Sequence, residues 1–403
     1  MKNKTLRSLR KAVLIFLMPL LLSGCWDSVE LNRRAIVSGV AFDLGKSDME
    51  KYVVSFQVIV ADEISGQKTR GTSPVALYTG KGRTIFEALS NASRQTARFL
   101  SLGHVRVLVV SEELARQGIS DMLDTLERES DARLTSLMFI SKGQPAKDIL
   151  STMTVFSKIP ANDLVEKLET TSKQYGYNYR MEVDDIIRGV KLPGGGPIIN
   201  GVFTRGNRGK ADNNDNLKTI APQVVLNVSD LAAFKGDKMV GWLSGSEAFG
   251  TVILHNKIRQ FPLLILHPGQ GFISFNIYKS QVGIRAIAKV PERPVIKIKI
   301  SLQAELKESP NNLDLTSSVV LQKLARQIEE EARSQVLAGI QAARKMNSDF
   351  LGFGLALERA NPRGWKRVEG RWNEIFQHCK TDIYIDAVIR HTDMRSNSLK
   401  NNK

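Results

Sequence analysis

The start of the chain restricts its fold more than any other stretch. Lys2, Lys4, Arg7, Arg10 and Lys11 form a cationic segment, and Ala12 to Leu22 (AVLIFLMPLLL) follows as an apolar run broken by Pro19. A helix that crosses a bilayer needs about 20 apolar residues, and no uninterrupted run of that length occurs in the sequence. A short apolar run behind a cationic segment fits the h-region of a secretory signal. The chain therefore does not read as a polytopic membrane protein. What folds is the material beyond the signal, after export.

The run closes on Leu22-Ser23-Gly24-Cys25, followed by Trp26-Asp27. Small residues directly before a cysteine resemble the lipobox of bacterial lipoproteins. That resemblance implies cleavage between Gly24 and Cys25, a diacylglyceryl thioether on the Cys25 sulfur and a further, amide-linked acyl (palmitoyl) chain on its amino group. Two or more acyl chains anchor a protein stably, whereas one holds it only marginally. Loss of the five signal cations takes the formal charge from +16 to about +11. An exported, tethered chain does not meet the chromosome, so nucleic acid is not the expected partner. The remaining charge suits either anionic headgroups, at about 1 kcal/mol per near-surface Lys or Arg, or a plain solvated surface. Cys379, the other cysteine, sits among Ile375, Phe376 and Ile383 and reads as a buried, inert thiol. Two cysteines and five histidines exclude a disulfide scaffold and leave little for a metal site.

Beyond the signal, periodicity alternates between strand and helix. Strands are predicted at Ile36–Asp43, Lys51–Val60, Val75–Thr79, Val105–Ser111 and Leu134–Ser141, with a turn at Gly80–Gly82. Helices are predicted after Thr84, over Glu112–Glu127, from Pro160 to about Gly176 and over Glu182–Val190. A short helix is also predicted just after Trp26. This alternation predicts an α/β first domain with a mixed or parallel sheet. Leu192-Pro-Gly-Gly-Gly-Pro197 reads as a linker, and the polar stretch 204–218 as an exposed loop. Strands at Val224–Phe234 and Lys238–Leu243 flank a Lys-Gly-Asp turn, and a helix capped by Ser244 or Ser246 follows. Phe272–Val290 reads as one long or two paired strands, and Val295–Leu306 alternates with period two. A long helix from about Thr316 to Met346 carries the stripe Val320, Leu324, Ile328, Ala332, Val336 and Ile340. Two further helical portions and a closing strand, Thr381–Arg390, complete an α+β C-terminal third.

Catalytic signatures are absent from the sequence. There is no HExxH, paired CxxC, GxxxxGK[ST] or GxSxG. Gly80-Lys-Gly82 and Gly194–Gly196 lack the strand–loop–helix spacing that would aim several N–H groups at a phosphate. Asp184 and Asp185 are adjacent on a helix and point about 100° apart, which suits a solvated face better than a carboxylate dyad. His255 and His267, in apolar surroundings, read as hydrogen-bonded structural side chains. The expectation is a protein with no enzyme activity, no cofactor and no metal.

Four stretches, in order, carry a family resemblance. GCWDSVELNRRAIVSGVAFD, DLAAFKGDKMVGWLSGSEAFG, NSDFLGFGLALERANPRGWKRVEGRWNEIF and DIYIDAVIRHTDM are similar to successive regions of the Ger(x)C proteins. These are the lipoprotein C subunits of bacterial spore germinant receptors. One departure is Asp393, where the family often has glycine. The residues that carry the match are Trp26, Asp27, Gly236, Gly241, Trp242, Gly352, Gly354, Trp365 and Trp372. Close packing or turns are the simplest role for the four glycines.

The resemblance implies a mixed α+β, three-domain lipoprotein ectodomain with a long helix in its last domain. It divides the chain into a signal (1–24), an N-terminal domain (25–192), a middle domain (193–291), a C-terminal domain (292–395) and a polar tail (396–403). It also implies a place on the outer face of the spore inner membrane, assembly with membrane-embedded A and B subunits, and a part in nutrient-triggered germination. Whether this subunit touches the small-molecule germinant is left open. Two other classes remain: a lipid-anchored solute-binding protein of a transporter, and an anchored enzyme. The first calls for two similar lobes around a cleft, and the second for a carboxylate pair or metal cluster.

Overall fold

The computed structural model describes residues 33–391 apart from 61–72, 130, 177, 214, 259, 268–270, 310–312, 314 and 316. Gly24, Cys25, Trp26, Asp27, the short helix expected after them and the tail 396–403 lie outside the described residues.

The architecture is mixed α+β, built on two mixed sheets. The larger contains β1 (Arg34–Ser47), β2 (Glu50–Ile59), β3 (Val75–Gly82), β4 (Phe99–Ser101), β5 (Val107–Ser111), β6 (Leu137–Ser141), β7 (Ile198–Gly206), β8 (Val224–Lys235) and β9 (Lys238–Leu243). Their order is β3-β2-β1-β5-β6-β7-β8-β9, with β4 beside the start of β1. The central strands β1, β5, β6 and β7 run parallel, and the flanks are antiparallel. Every residue of β5 and β6 is buried, as expected for parallel strands covered on both faces. Alternate side chains feed two cores. Leu108, Val110, Met138 and Ile140 point to one, and Val107, Val109, Leu137 and Phe139 to the other.

Helices cover both faces. On the first lie α1 (Ile85–Ser93), α2 (Glu112–Gln117) and α3 (Ser120–Arg128); on the second lie α4 (Ala146–Ser151) and α5 (Pro160–Gln174). The first face is completed by α6 (Val183–Val190). Thr84 caps α1, its side chain accepting from Glu87 N. Asp43, at the carboxyl end of β1, reaches across to the first two N–H groups of α4, at 2.6 and 3.0 Å.

Three local expectations need correction. The turn expected at Gly80–Gly82 is the end of β3, because glycine there lets α1 lie on the strand: a Cβ on Gly80 would stand 2.2 Å from Ala88 O. The helix expected over Glu112–Glu127 is two helices, broken where Gly118 takes φ +132°. The loop 204–218 is pinned rather than wholly exposed. It contains a helical turn, α7 (Asp215–Lys218), and the buried Asn216 donates to Met153 O and Val224 O while accepting from Val224 N.

After β9 comes α8 (Gly245–Leu254), then the second sheet: β10 (Phe261–His267), β11 (Gly271–Ile287), β12 (Val295–Glu308) and β13 (Lys380–His391), in that order. Only the β12–β13 pair is parallel. Between them run α9 (Ser318–Lys345), α10 (Phe353–Ala360), α11 (Pro362–Val368) and α12 (Trp372–His378). The α9 stripe Leu324, Ile328, Ala332, Val336 and Ile340 is buried in the same core as the inward row Ile296, Ile298, Ile300 and Leu302 of β12. The segment 193–291 is divided between the sheets, since β7–β9 extend the large one and β10 and β11 begin the small one.

Candidate functional site

The residues singled out by sequence converge on the end of α9. Asn347 turns the chain out of that helix with φ +50°, and Asp349 follows, 3% exposed. Its Oδ1 accepts from Phe353 N (3.0 Å), and its Oδ2 accepts from Gly354 N (2.6 Å) and Trp372 Nε1 (2.8 Å). One carboxylate therefore caps α10 and ties it to α12. Burial pushes the Asp349 carboxyl up to about 6, against the pull of these donors, so at neutral pH it is ionised.

The glycines and tryptophans fit around it. Gly352 takes φ +78° to start α10, and a Cβ on Gly354 would stand 2.9 Å from both Trp365 and Trp372. Those two rings meet edge to face at 5.4 Å. Asn361 accepts from Gly364 N, and Pro362 opens α11 at the position where its missing N–H costs nothing.

The large sheet supplies the other half of the cluster. Asp349 N donates to Gly194 O (3.0 Å), Gly236 N to Gly195 O (2.7 Å) and Ser348 Oγ to Phe234 O (2.6 Å). A Cβ on Gly195 would lie 2.7 Å from Asp349 O, and one on Gly196 2.3 Å from Phe234 O. The segment expected as a linker is thus a packed junction, because three glycines let two backbones touch it. Gly236 takes φ +58° in the β8–β9 turn, and Gly241 lies against Met346, with a Cβ position 2.8 Å from its Cε.

Gly236, Gly241, Gly352, Gly354, Trp365 and Trp372 therefore meet at one seam between the two sheets. Trp242 does not join them. Its ring packs on Gly201 and lies 5.2 Å from Lys142 Nζ, which pairs with Asp230 at 2.6 Å. Sequence reasoning missed Asp349, Ser348 and the three glycines as members of the seam. The one local signal was an acid three residues ahead of the Gly-Phe-Gly helix start.

The remaining candidates are structural. His255 is buried, stacks on Tyr179 at 5.6 Å and bonds Phe350 O through Nε2 at 2.9 Å. His267 bonds Gln327. Arg188 bridges Asp184 and Asp185 on the surface of α6. Cys379 is buried, its Sγ donates to Phe376 O, and burial pushes its thiol up. Among the described residues no group of three or more His, Cys, Asp or Glu is placed to hold a metal ion. No described helix is long and apolar enough to cross a membrane. The seam is a device for holding two units in a fixed relation, with no exposed reactive group in it.

Comparisons with known proteins agree with this layout. Residues 27–203 match the family described as "Spore germination protein N-terminal domain", and residues 229–393 that described as "Spore germination B3/ GerAC like, C-terminal". Spore germination protein KC of Bacillus subtilis is 28% identical over 397 residues, covering 96% of this chain and 97% of its own. Spore germination protein B3 of the same organism is 24% identical, covering 96% and 98%. The crystal structure of the GerBC protein superposes with a TM-score of 0.52 at 17% identity, covering 87% of this chain and 97% of that one. That last likeness speaks for the fold.

Proposed function

The chain belongs to the Ger(x)C family of spore germination proteins, and on that premise we propose that it is the lipid-anchored, non-catalytic C subunit of a nutrient germinant receptor. In this reading it sits on the extracytoplasmic face of the spore inner membrane, held by acyl chains on Cys25, beside membrane-embedded A and B subunits. One observation carries the proposal: the family match begins at residue 27, directly behind the lipobox cysteine. Arg34, the first residue of β1, lies nine positions after Cys25, and such a stretch spans at most about 30 Å. The folded part is then confined to a thin layer at the membrane. Confinement of that kind raises the effective concentration of neighbouring subunits to about millimolar without any contact affinity. Weak polar interfaces can suffice under those conditions.

The test is nutrient-triggered germination of spores whose sole copy of the gene carries Cys25→Ala, followed by loss of refractility, with protein levels checked by immunoblot. The expected result is loss of response to one nutrient class while a receptor-bypassing trigger, dodecylamine, still works. Full retention of every nutrient response, in a strain lacking other receptors of this family, would sink the proposal.

A further inference from the structure

The parallel strands of the large sheet share one amino end, and the chain enters the fold there. β1 begins at Arg34, and β4 and then β5 run parallel beside it, with Arg34 opposite Phe99 and Gly39 opposite Val107. β6 extends the parallel set, with Leu137 opposite Val107. Three properties of this end specify what it meets.

The first is reach. The stretch from Cys25 to Arg34 spans at most about 30 Å. β1 has 14 residues, and at roughly 3.3 Å per residue it extends about 45 Å. An anchor on Cys25 therefore lets the amino end of β1 come down to a bilayer. With the strand upright, its carboxyl end cannot do so, because Arg34 would then stand farther from the membrane than the tether reaches.

The second is charge. Arg33, Arg98, Arg106 and Arg133 are exposed and Arg34 is half-buried. Among the described residues none of the five makes an ion pair; Arg106 donates to the neutral Asn162 Oδ1 at 2.9 Å. Arg106 and Arg133 line one open depression of about 430 Å³, together with His104 and Arg180. Glu169 and Glu182 are taken up by Arg180, at 3.9 and 2.8 Å. Glu129 and Asp131, just before Arg133, offset part of the remaining charge and leave the end cationic. A guanidinium presents a fork of donors that suits phosphate oxygens.

The third is an aromatic ring in the open. Phe99 is 65% exposed, follows Arg98 and is the partner of Arg34 across the strand pair. Arginines around an exposed apolar ring match the two layers of a membrane interface, anionic headgroups above and acyl chains below.

From this geometry we infer that the amino end of the large sheet is a membrane-docking face, with its arginines on anionic phospholipid headgroups and the Phe99 ring at the acyl boundary. Reach selects the bilayer as the occupant, and charge selects its anionic lipids. The inference rests on the reading of Cys25 as the anchor and adds an orientation to it: the chain stands on one defined end instead of swinging on its tether.

The test is co-sedimentation with vesicles of the chain from residue 25 onward, which keeps every described residue, carrying Cys25→Ala so that no acyl chain contributes. Vesicles of phosphatidylcholine are compared with vesicles of equal parts phosphatidylcholine and phosphatidylglycerol. The expected result is binding to the anionic vesicles alone, weakened by added salt. Arg98→Gln, Arg106→Gln and Arg133→Gln combined lower the partition by about fivefold for each charge removed. Arg285→Gln, Lys297→Gln and Lys299→Gln combined remove the same charge from the exposed row of the small sheet and leave the partition within about twofold of the parent's. Phe99→Ser lowers it at unchanged charge. Equal binding to both kinds of vesicle, binding to neither, or equal losses in the two triple variants overturns the inference. None of these arms carries an acyl chain, so their failure leaves the Cys25 anchor standing, and failure of the anchor is read separately in the Cys25→Ala spores.

Discussion

Burial of single titratable groups sets how this molecule responds to acid. The His255 ring is enclosed against Tyr179 and Phe350, and burial, with a smaller push from Lys257, holds its pKa down at about 4. In an unfolded chain the ring titrates near 6.5. Above that pH both states carry a neutral ring. As pH falls from about 6.5 toward 4, the unfolded chain takes up a proton that the folded one refuses, so this group's stabilisation is lost across that window. Asp43 and Asp349 act in the opposite sense. Burial holds both at about 6, so between about pH 4 and 6 the folded chain keeps protons that the unfolded chain gives up, and stability falls as pH rises. The two effects are separated by comparing the parent with His255→Gln, which keeps a donor for Phe350 O and removes the titration. The stability gap between them, from urea unfolding, should narrow by roughly 3 kcal/mol as pH falls from 7 to 4. A gap that stays constant over that range would refute the buried neutral ring. The sequence placed His255 in apolar surroundings, but its partner Phe350 lies 95 residues away, and nothing local announces a contact of that separation.

At the scale of elements, two close approaches hold the second sheet together. Helix α9 lies across α8 at a crossing of small residues. A Cβ on Gly250 would stand 1.9 Å from Gln335 O, and one on Gly339 2.9 Å from Thr251 N. Backbone cannot move aside as a flexible side chain can. Gly250→Ala should therefore cost about 3 kcal/mol, at the upper end for overpacking, read as a fall in the thermal midpoint; a variant that melts with the parent would show that the helices can separate freely. The same helix protects the free edge of β13. Glu329 accepts from Ala387 N, Arg333 donates to Ile383 O and Arg344 to Cys379 O, so the edge strand's backbone is occupied instead of open to another chain. The α9 stripe and the alternation of β12 were legible because each period repeats over several turns or residue pairs. Strand β10 was not. Its sequence FPLLILH reads as continuous apolar material containing a proline, and only its position on the sheet edge makes Pro262 compatible with a strand.

At the scale of the molecule, the decisive element is the one whose composition misleads. Leu192-Pro-Gly-Gly-Gly-Pro197 has the composition of a flexible linker, yet Gly195, Gly196 and Pro197 are buried. Glycine has two opposite uses: it frees a chain in solvent, and it admits a neighbouring backbone inside a fold. Sequence cannot choose between them when the neighbours, Phe234 and Asp349, arrive from elsewhere in the chain. The choice matters for how the whole chain unfolds. If the segment were a linker, the two sheets would melt as separate units. A junction in which Gly194, Gly195, Phe234, Ser348 and Asp349 exchange hydrogen bonds with one another and with Gly236 couples them, so differential scanning calorimetry of the parent should show one transition. Gly195→Ala places a methyl where Asp349 O lies 2.7 Å away, forcing the seam apart while leaving both sheets' own strand pairings intact. Its thermogram should split into two transitions, the lower at least several degrees below the parental midpoint. A single unshifted transition in the variant would mean that the sheets are coupled elsewhere, with the contact between α8 and α9 as the remaining link.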